Sequence, residues 1–357
     1  MQIAFLGDIS FNDAYTRLYA SGVNPFLWIG EKLADCDLVI GNLECLAEGR
    51  DGVNEKKKPR LKTSIETLNF LESLNVSALT LAHNHVYDNL KDGFERTIAF
   101  LDGRKIEYLG AGLEPEKAAK PWIVDREGIK ICFLSCVHPD THPSLPEDSP
   151  IYLNYYNRET LSGEIRKYRE SGHFVVLLLH WGGRFEGGIY PDRYQSSDAR
   201  AFIDAGADLV VGHHSHTLQA MKSYRGRQIF YSLGNFCFAD ILSDGRIRSM
   251  SRKAFRESVI PVLQLNRDHS YSVQLIPIRN RDLAIEEHRP VLRKLARRNR
   301  VQGLFETIPA CWHLYRLYFR TWAPVWEQLT RKDPEKTLFR RMLGLNRTKI
   351  RQLMKSR

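Results

Sequence analysis

Long apolar runs are missing from this 357-residue chain. No stretch approaches the roughly 18 consecutive apolar residues that a membrane-spanning helix needs, so none is predicted. The opening Met1-Gln2-Ile3-Ala4-Phe5-Leu6-Gly7-Asp8 lacks a basic segment, a long apolar segment and a small-residue cleavage site. A standard export signal is therefore not expected. Cysteine is also scarce. The six cysteines (Cys36, Cys45, Cys132, Cys136, Cys237 and Cys311) form no CxxC pair and no framework spacing. That pattern excludes a cysteine-rich zinc site and a disulfide scaffold, and Ile131-Cys132-Phe133 has the look of a small core residue among larger ones. Reduced thiols and a cytoplasmic location, peripheral to the inner face of the membrane, are the resulting expectations. Repeats and low-complexity segments are absent, and 43% hydrophobic with 26% charged residues excludes a disordered or fibrous chain.

Acidic residues are scarce only at one end. Residues 289–357 hold 18 Lys/Arg and 4 Asp/Glu, a net of +14. The whole chain is +10, so residues 1–288 carry 10 − 14 = −4. A mildly acidic body with a basic tail points to an anionic partner at the tail.

Short apolar runs alternate with helical patterns. Strands are predicted over 3–6, 38–40, 78–81, 129–134, 175–179, 209–211, 228–232, 259–265 and 271–277, several of them hydrophobic throughout, as strands covered on both faces are. Helices are predicted over 64–73, 92–104, 158–171 and 196–205. The alternation predicts an α/β layered domain, and the short link 266–269 predicts an antiparallel hairpin within it.

Polar residues collect just beyond the carboxyl ends of these strands, where an α/β sheet supports a crevice. Asp8 follows the first strand and Asn42 and Glu44 the second; His83, Asn84 and His85 follow the third. His180, the group His213, His214 and His216, and Asn235 follow later ones. A lone Asp there is more often a helix N-cap, and a lone Asn a turn residue. Three histidines in four positions after an apolar strand have little structural rationale and point to metal. Mixed imidazole, carboxylate and amide donors suit one or two divalent transition metals, Mn, Fe or Zn.

Gly7-Asp8, Gly41-Asn42-Leu43-Glu44, Ala82-His83-Asn84-His85-Val86-Tyr87-Asp88, Gly110-Ala111-Gly112, His180-Trp181-Gly182, Gly212-His213-His214-Ser215-His216 and Gly234-Asn235-Phe236 occur in that order. They resemble the bacterial capsule-synthesis (CapA, poly-γ-glutamate-synthesis) family of the calcineurin-like metallophosphoesterase superfamily, over roughly residues 1–240. The resemblance implies a four-layer αββα sandwich, metallophosphatase-like, over residues 1–282, with residues 283–357 as a basic, aromatic-containing helical appendage. It implies that Asp8 and His216 bind one metal and Asn84, His180 and His214 a second. The superfamily's Asp-x-His opening is Asp8-Ile9-Ser10 here, and its bridging Asp falls at Asn42, so Glu44 is the replacement carboxylate. His85 resembles the superfamily's catalytic acid, with Asp88 orienting it. Asn42, Arg60, Trp181 and Asn235 are assigned to substrate binding.

The run Lys56-Lys57-Lys58-Pro59-Arg60-Leu61-Lys62 either holds an anionic substrate group through Arg60 or Lys62 or is merely solvated. Arg184 and Glu186, with Trp181, are further candidates to line the pocket. In the tail, Trp312, Tyr315, Tyr318, Phe319, Trp322 and Trp326 accompany the basic residues. They suit either an anionic membrane surface or packing onto the domain with the charges facing water. Nucleic acid is disfavoured, because no binding motif accompanies the charge. The expected activity is that of a metal-dependent hydrolase, a phosphoesterase acting on an anionic polymer or phosphoester. A non-catalytic metal-binding partner of a polymer-synthesis complex and an amide hydrolase of poly-glutamyl or peptide-like chains are the alternatives. Sedimentation of the full chain with anionic liposomes is expected, with loss on removal of residues 289–357; equal partitioning of both would count against membrane binding.

Overall fold

The computed structural model describes residues 1–319 apart from 244 and 251. The chain opens with β1 (Gln2–Ile9), β2 (Leu38–Leu43), β3 (Ala78–Thr80) and β4 (Glu107–Leu109), paired in parallel in that order. Next come β5 (Trp122–Arg126), β6 (Ile129–Val137), β7 (Phe174–His180), β8 (Leu209–His213), β9 (Met221–Tyr224) and β10 (Arg227–Phe230). These six make a second sheet in the order β9-β10-β8-β7-β6-β5. The chain then returns to the first sheet. Strand β11 (Asn235–Cys237) pairs with the end of β1, and β12 (Glu257–Leu265), β13 (Tyr271–Arg281) and β14 (Ala284–Glu287) extend the other edge antiparallel. The protein is thus α/β with two large mixed sheets, beside two small two-stranded ones among the described residues, and β12–β13 is the expected hairpin.

Side-chain alternation along each strand sorts the core into layers. Ile3 and Phe5 of β1, Leu38 and Ile40 of β2, Val176 and Leu178 of β7, and Leu209 and Val211 of β8 pack together between the sheets. Their neighbours Ala4, Leu6 and Val39 turn to the other face, against α1 (Ala14–Ala20), α2 (Leu27–Leu33), the 3₁₀ segment Glu66–Leu74 and α3 (Leu90–Gly103). On the second sheet Val175, Leu177 and Leu179 pack under α4 (Arg158–Glu170) and α5 (Arg193–Asp204). The predicted start of α5 at 196 is early-capped instead: Asp192 and Gln195 form a capping box that begins the helix at Arg193. Strand β4, β5, β9 and helices α1 and α2 lie where no periodic pattern was legible.

Helix α6 (Pro290–Thr307) docks on this body rather than hanging from it. Val291 and Leu295 join the layer between the sheets, and the guanidinium of the buried Arg298 donates to the Leu218 carbonyl. Helix α7 (Pro309–Leu317) follows, and Trp312, Tyr315 and Phe319 gather around Phe185 with ring centroids 5.3–6.0 Å away. Tyr318 is exposed, whereas Trp322 and Trp326 lie outside the described residues. A truncation meant to test membrane binding therefore begins beyond Phe319. No helix among the described residues is long and apolar enough to cross a membrane. All six cysteines are free, five of them buried.

The layer between the sheets is one of the large apolar clusters that hold the fold together. Leu178 is 1% exposed within it. Leu178→Ala is expected to cost about 2–5 kcal/mol, read as a lower urea midpoint with unchanged slope.

Candidate metal centre

The polar site is the continuation of that inter-sheet layer at its carboxyl end. On β2 the inward alternation Leu38, Ile40 runs on to Asn42 and Glu44. On β7 it runs from Phe174, Val176 and Leu178 to His180, which pairs in register with His213 of β8. Strand β1 needs a correction of phase. Its partner register slips between Phe5 and Asp8, so Phe5 faces Ile40 and Asp8 faces Asn42. Leu6 and Ile9 both pack on the helix side, and the extra residue of this bulge re-aims Asp8 at the other sheet. The loop after β8 is strained. His214 and His216 hold φ of 91° and 57°, a region that side-chain-bearing residues seldom occupy. Gly212 just before them cannot be replaced cheaply, because a Cβ there would lie 2.0 Å from the Tyr231 carbonyl oxygen.

Two triads result that could hold a metal ion, each with candidate donor atoms within 4.8 Å of one another: Asp8, Glu44 and His216, and Glu44, His180 and His214. Glu44 belongs to both. Asn84 joins the second through Oδ1, 3.0 Å from His180 Nε2, which is also 3.0 Å from His214 Nδ1. Supporting contacts orient these groups. Asn42 Nδ2 donates to Asp8 Oδ1 at 2.8 Å. Asn235 donates to the Phe255 carbonyl at 3.1 Å, which turns its oxygen to His216 Nδ1 at 3.0 Å and leaves His216 Nε2 3.7 Å from Glu44.

Several buried polar atoms here lack a hydrogen-bond partner among the described residues: Asp8 Oδ2, Asn42 Oδ1, both Glu44 oxygens, His83 Nε2 and His214 Nε2. Burying acceptors, above all carboxylate oxygens, without a partner is costly. Their convergence fits a cation, and the mixed oxygen and imidazole donors fit a divalent transition metal.

Without metal the protons are divided unequally between the two triads. Burial pushes Glu44 up to about 8, His216 pulls it down and Asp8 adds to the rise. Burial alone would raise Asp8, but the neighbouring imidazoles of His216 and His213 and the Asn42 amide hold it below its usual value. Burial also opposes a proton on His216, yet Glu44 and Asp8 outweigh it and push the imidazole up to about 9. Burial lowers His214 to about 4 and holds His83, His85 and His180 well below the usual imidazole range. His180 and His214 are thus neutral, as metal ligands must be.

His85 and Asp88 stand beside the triads. His85 Nδ1 is 2.6 Å from Asp88 Oδ2, which also accepts from the Leu61 amide at 2.7 Å, and His85 Nε2 is 4.0 Å from Glu44. Burial pushes Asp88 up to about 8 while it depresses His85, so the pair shares one proton.

The other expected residues take different places. Trp181, expected at the substrate, has no exposed surface; alternation after His180 turns it outward to the core under α4 and α5, where Nε1 donates to the Tyr231 carbonyl. Arg60 binds Glu55 and the Asn54 carbonyl while its charge acts on Asp88, whereas Lys62 pairs with Glu48 and Arg184 is exposed. Glu186 does reach the site's rim, where it pairs with Arg248 and its charge acts on His214 and His216. Two residues without an assigned role belong to the neighbourhood. His83 is fully buried 5.9 Å from His180, ring to ring, and its place beside Asn84 was the available signal. Lys57 is buried, and nothing in its basic run distinguished it from its neighbours.

The electrostatics predict a pH dependence. Glu44, Asp88 and His216 rise from ordinary values of 4.5, 3.8 and 6.5 to about 8, 8 and 9 on folding. Raised groups contribute stability that is present below the unfolded value and lost as pH rises through the folded one. The depressed histidines are neutral in both states above 6.5, so they do not offset this loss. Metal-free protein in chelator is expected to lose urea stability between about pH 7 and 9, and Mn²⁺ to remove most of the loss by keeping Glu44 ionised. A flat profile without metal would contradict it.

The profile of the family described as bacterial capsule synthesis protein PGA_cap matches residues 2–240. The PGA biosynthesis protein CapA of Bacillus subtilis (strain 168) is 30% identical over 251 residues, 67% of this chain and 63% of that protein. The capsule biosynthesis protein CapA of Bacillus anthracis is 30% identical over 222 residues, 60% of this chain and 53% of that protein. The chain thus spans less than two thirds of the length of either relative. The structure of Haemophilus influenzae NAD nucleotidase (NadN) aligns with 83% of this chain and 55% of that one at 13% identity and a TM-score of 0.43, a likeness too slight to carry an argument. The family match runs through every ligand of both triads, from Asp8 to His216, and the chain belongs to the bacterial capsule synthesis protein PGA_cap family.

Proposed function

We propose that this chain is a metal-dependent hydrolase, a phosphoesterase, that acts in bacterial capsule or cell-surface polymer metabolism. The observation that carries the reading is the carboxylate of Glu44 shared by two triads, with the His85–Asp88 pair 4.0 Å away. Asp8, Glu44 and His216 would hold one metal; Glu44, His180, His214 and Asn84 would hold a second. Divalent cations bound there supply Lewis-acid chemistry, offsetting charge that builds on a phosphoryl oxygen and making water a better nucleophile. The two sheets with helices outside them accord with the αββα sandwich of metallophosphatases, and the names of the two Bacillus relatives point to poly-γ-glutamate or capsule as the setting.

The protein's own groups have separate tasks in this reading. Asp88 fixes the His85 ring and keeps a proton on Nδ1, so Nε2 is the atom that exchanges a proton with the leaving group. In the resting site burial, with the charges of Lys57 and His216, keeps the His85 imidazole neutral. An arriving anionic group offsets those charges and raises His85 toward the range in which Nε2 carries the proton. Asn42 and Asn235 hold Asp8 and His216 in place. A cytoplasmic site against the membrane, with the basic tail on anionic headgroups, would bring the activity to a surface polymer.

Metal analysis of purified protein combined with turnover of an aryl phosphate tests the proposal. One or two equivalents of transition metal are expected, and His85→Ala should lower kcat roughly 10²–10⁴-fold with metal content unchanged. Absence of metal, together with no effect of His85→Ala on any ester or amide, would overturn it. Bound metal without any turnover would favour a non-catalytic partner of a polymer-synthesis complex.

A further inference from the structure

We propose that Lys57 is the substrate-binding residue that takes an oxyanion, phosphate or carboxylate, at this centre. The inference rests on the reading of the two triads as a metal site, and it names the charge that the substrate must bring.

Lys57 departs from the rest of its basic run. Lys56 and Lys58 are exposed, but Lys57 is 8% exposed. Its loop is pinned on two sides: the Asn54 amide donates to the Asp88 carbonyl at 2.9 Å, and Asn54 Nδ2 donates to the Ser144 carbonyl at 3.0 Å. The Lys57 amide closes the turn onto the Asn54 carbonyl at 3.2 Å. The loop therefore joins the His85–Asp88 segment to the segment after β6, and Lys57 sits at that junction.

The side chain has little to bind there. Nζ makes one contact among the described residues, to the His142 carbonyl at 3.4 Å, and no ion pair. An ammonium has three donors, and removing it from water without a counter-charge is expensive. The acidic groups within its electrostatic reach are Asp88, Glu186 and Glu44. Each has another commitment: Asp88 to His85 and the Leu61 amide, Glu186 to Arg248, and Glu44 to both triads. The counter-charge that suits Lys57 thus comes from outside the chain. Its charge also acts on His85 and Glu44, which places it beside the centre rather than on a remote surface. A compact ammonium with three rotatable donors is suited to the non-reacting oxygens of an anionic group held against metal.

The test is calorimetry on the full chain loaded with Mn²⁺, titrated with inorganic phosphate and, separately, with acetate. Lys57→Met is expected to weaken the preferred anion by about tenfold or more, the share of one charged hydrogen bond. Its Mn²⁺ affinity should stay that of the wild type, and Lys57→Arg should retain part of the anion binding. Preference for phosphate identifies a phosphoester substrate, and preference for acetate a carboxylate one. Equal anion binding by wild type and Lys57→Met, or no anion binding by the wild type, overturns the proposal. A matching loss of Mn²⁺ affinity overturns it too, since Lys57 would then support the metal loop. Binding is read without turnover, so a chain that hydrolyses nothing still decides the question.

Discussion

A buried carboxylate whose oxygens have no hydrogen-bond partner is among the costliest things a fold can contain, and among the described residues Glu44 is such a group. It lies between Asp8 and His216 on one side and His180 and His214 on the other. Burial raises its proton affinity, Asp8 raises it further, and the charge on His216 offsets only part of the rise. A cation is the economical resolution, and the surrounding structure is consistent with having been shaped for one. The asparagines 42 and 235 orient ligands instead of competing for the position, and the second triad presents neutral imidazoles.

That arrangement depends on how the two sheets meet. Asp8, Glu44 and Asn84 come from the first sheet and its loops; His180, His214 and His216 come from the second. Their spacing is therefore set by the apolar layer that Ile3, Phe5, Ile40, Val176, Leu178 and Val211 build between the sheets. Close packing in that layer carries through to the ligand distances. Backbone strain at His214 and His216 is affordable because the neighbouring strands hold the loop on both sides.

The carboxyl-terminal elements take part as well. Trp312, Tyr315 and Phe319 close around Phe185, one residue before the Glu186 whose charge is felt at His214 and His216. Strand β14 and helix α6 continue the packing of the sheets past residue 282, so the aromatic part of the basic segment braces the rim of the site. Its exposed face bears Leu314, Leu317 and Tyr318, and the basic residues beyond Phe319 lie outside the described structure.

Local pattern was enough for the apolar strands and for most longer helices, because burial on both faces and a 3.6-residue stripe leave a mark on neighbouring residues. The strand-end positions of Asp8, Glu44, Asn84, His180, His214 and His216 were legible for the same reason: each follows an apolar run. Short elements such as β4, β9 and α1 were not, since a few residues carry no period. The exchange of roles among nearby polar residues was also hidden. Trp181 is in the core because alternation after His180 points it outward, and Lys57 rather than Arg60 is buried because its loop is tied to both Asp88 and Ser144. The sequence by itself determined which residue types stand at which strand ends, through the hydrophobic period. Only the tertiary structure decided which of them converge, because distances across two sheets depend on the bulge in β1 and on the packing between the layers, and neither is written in any local stretch of chain.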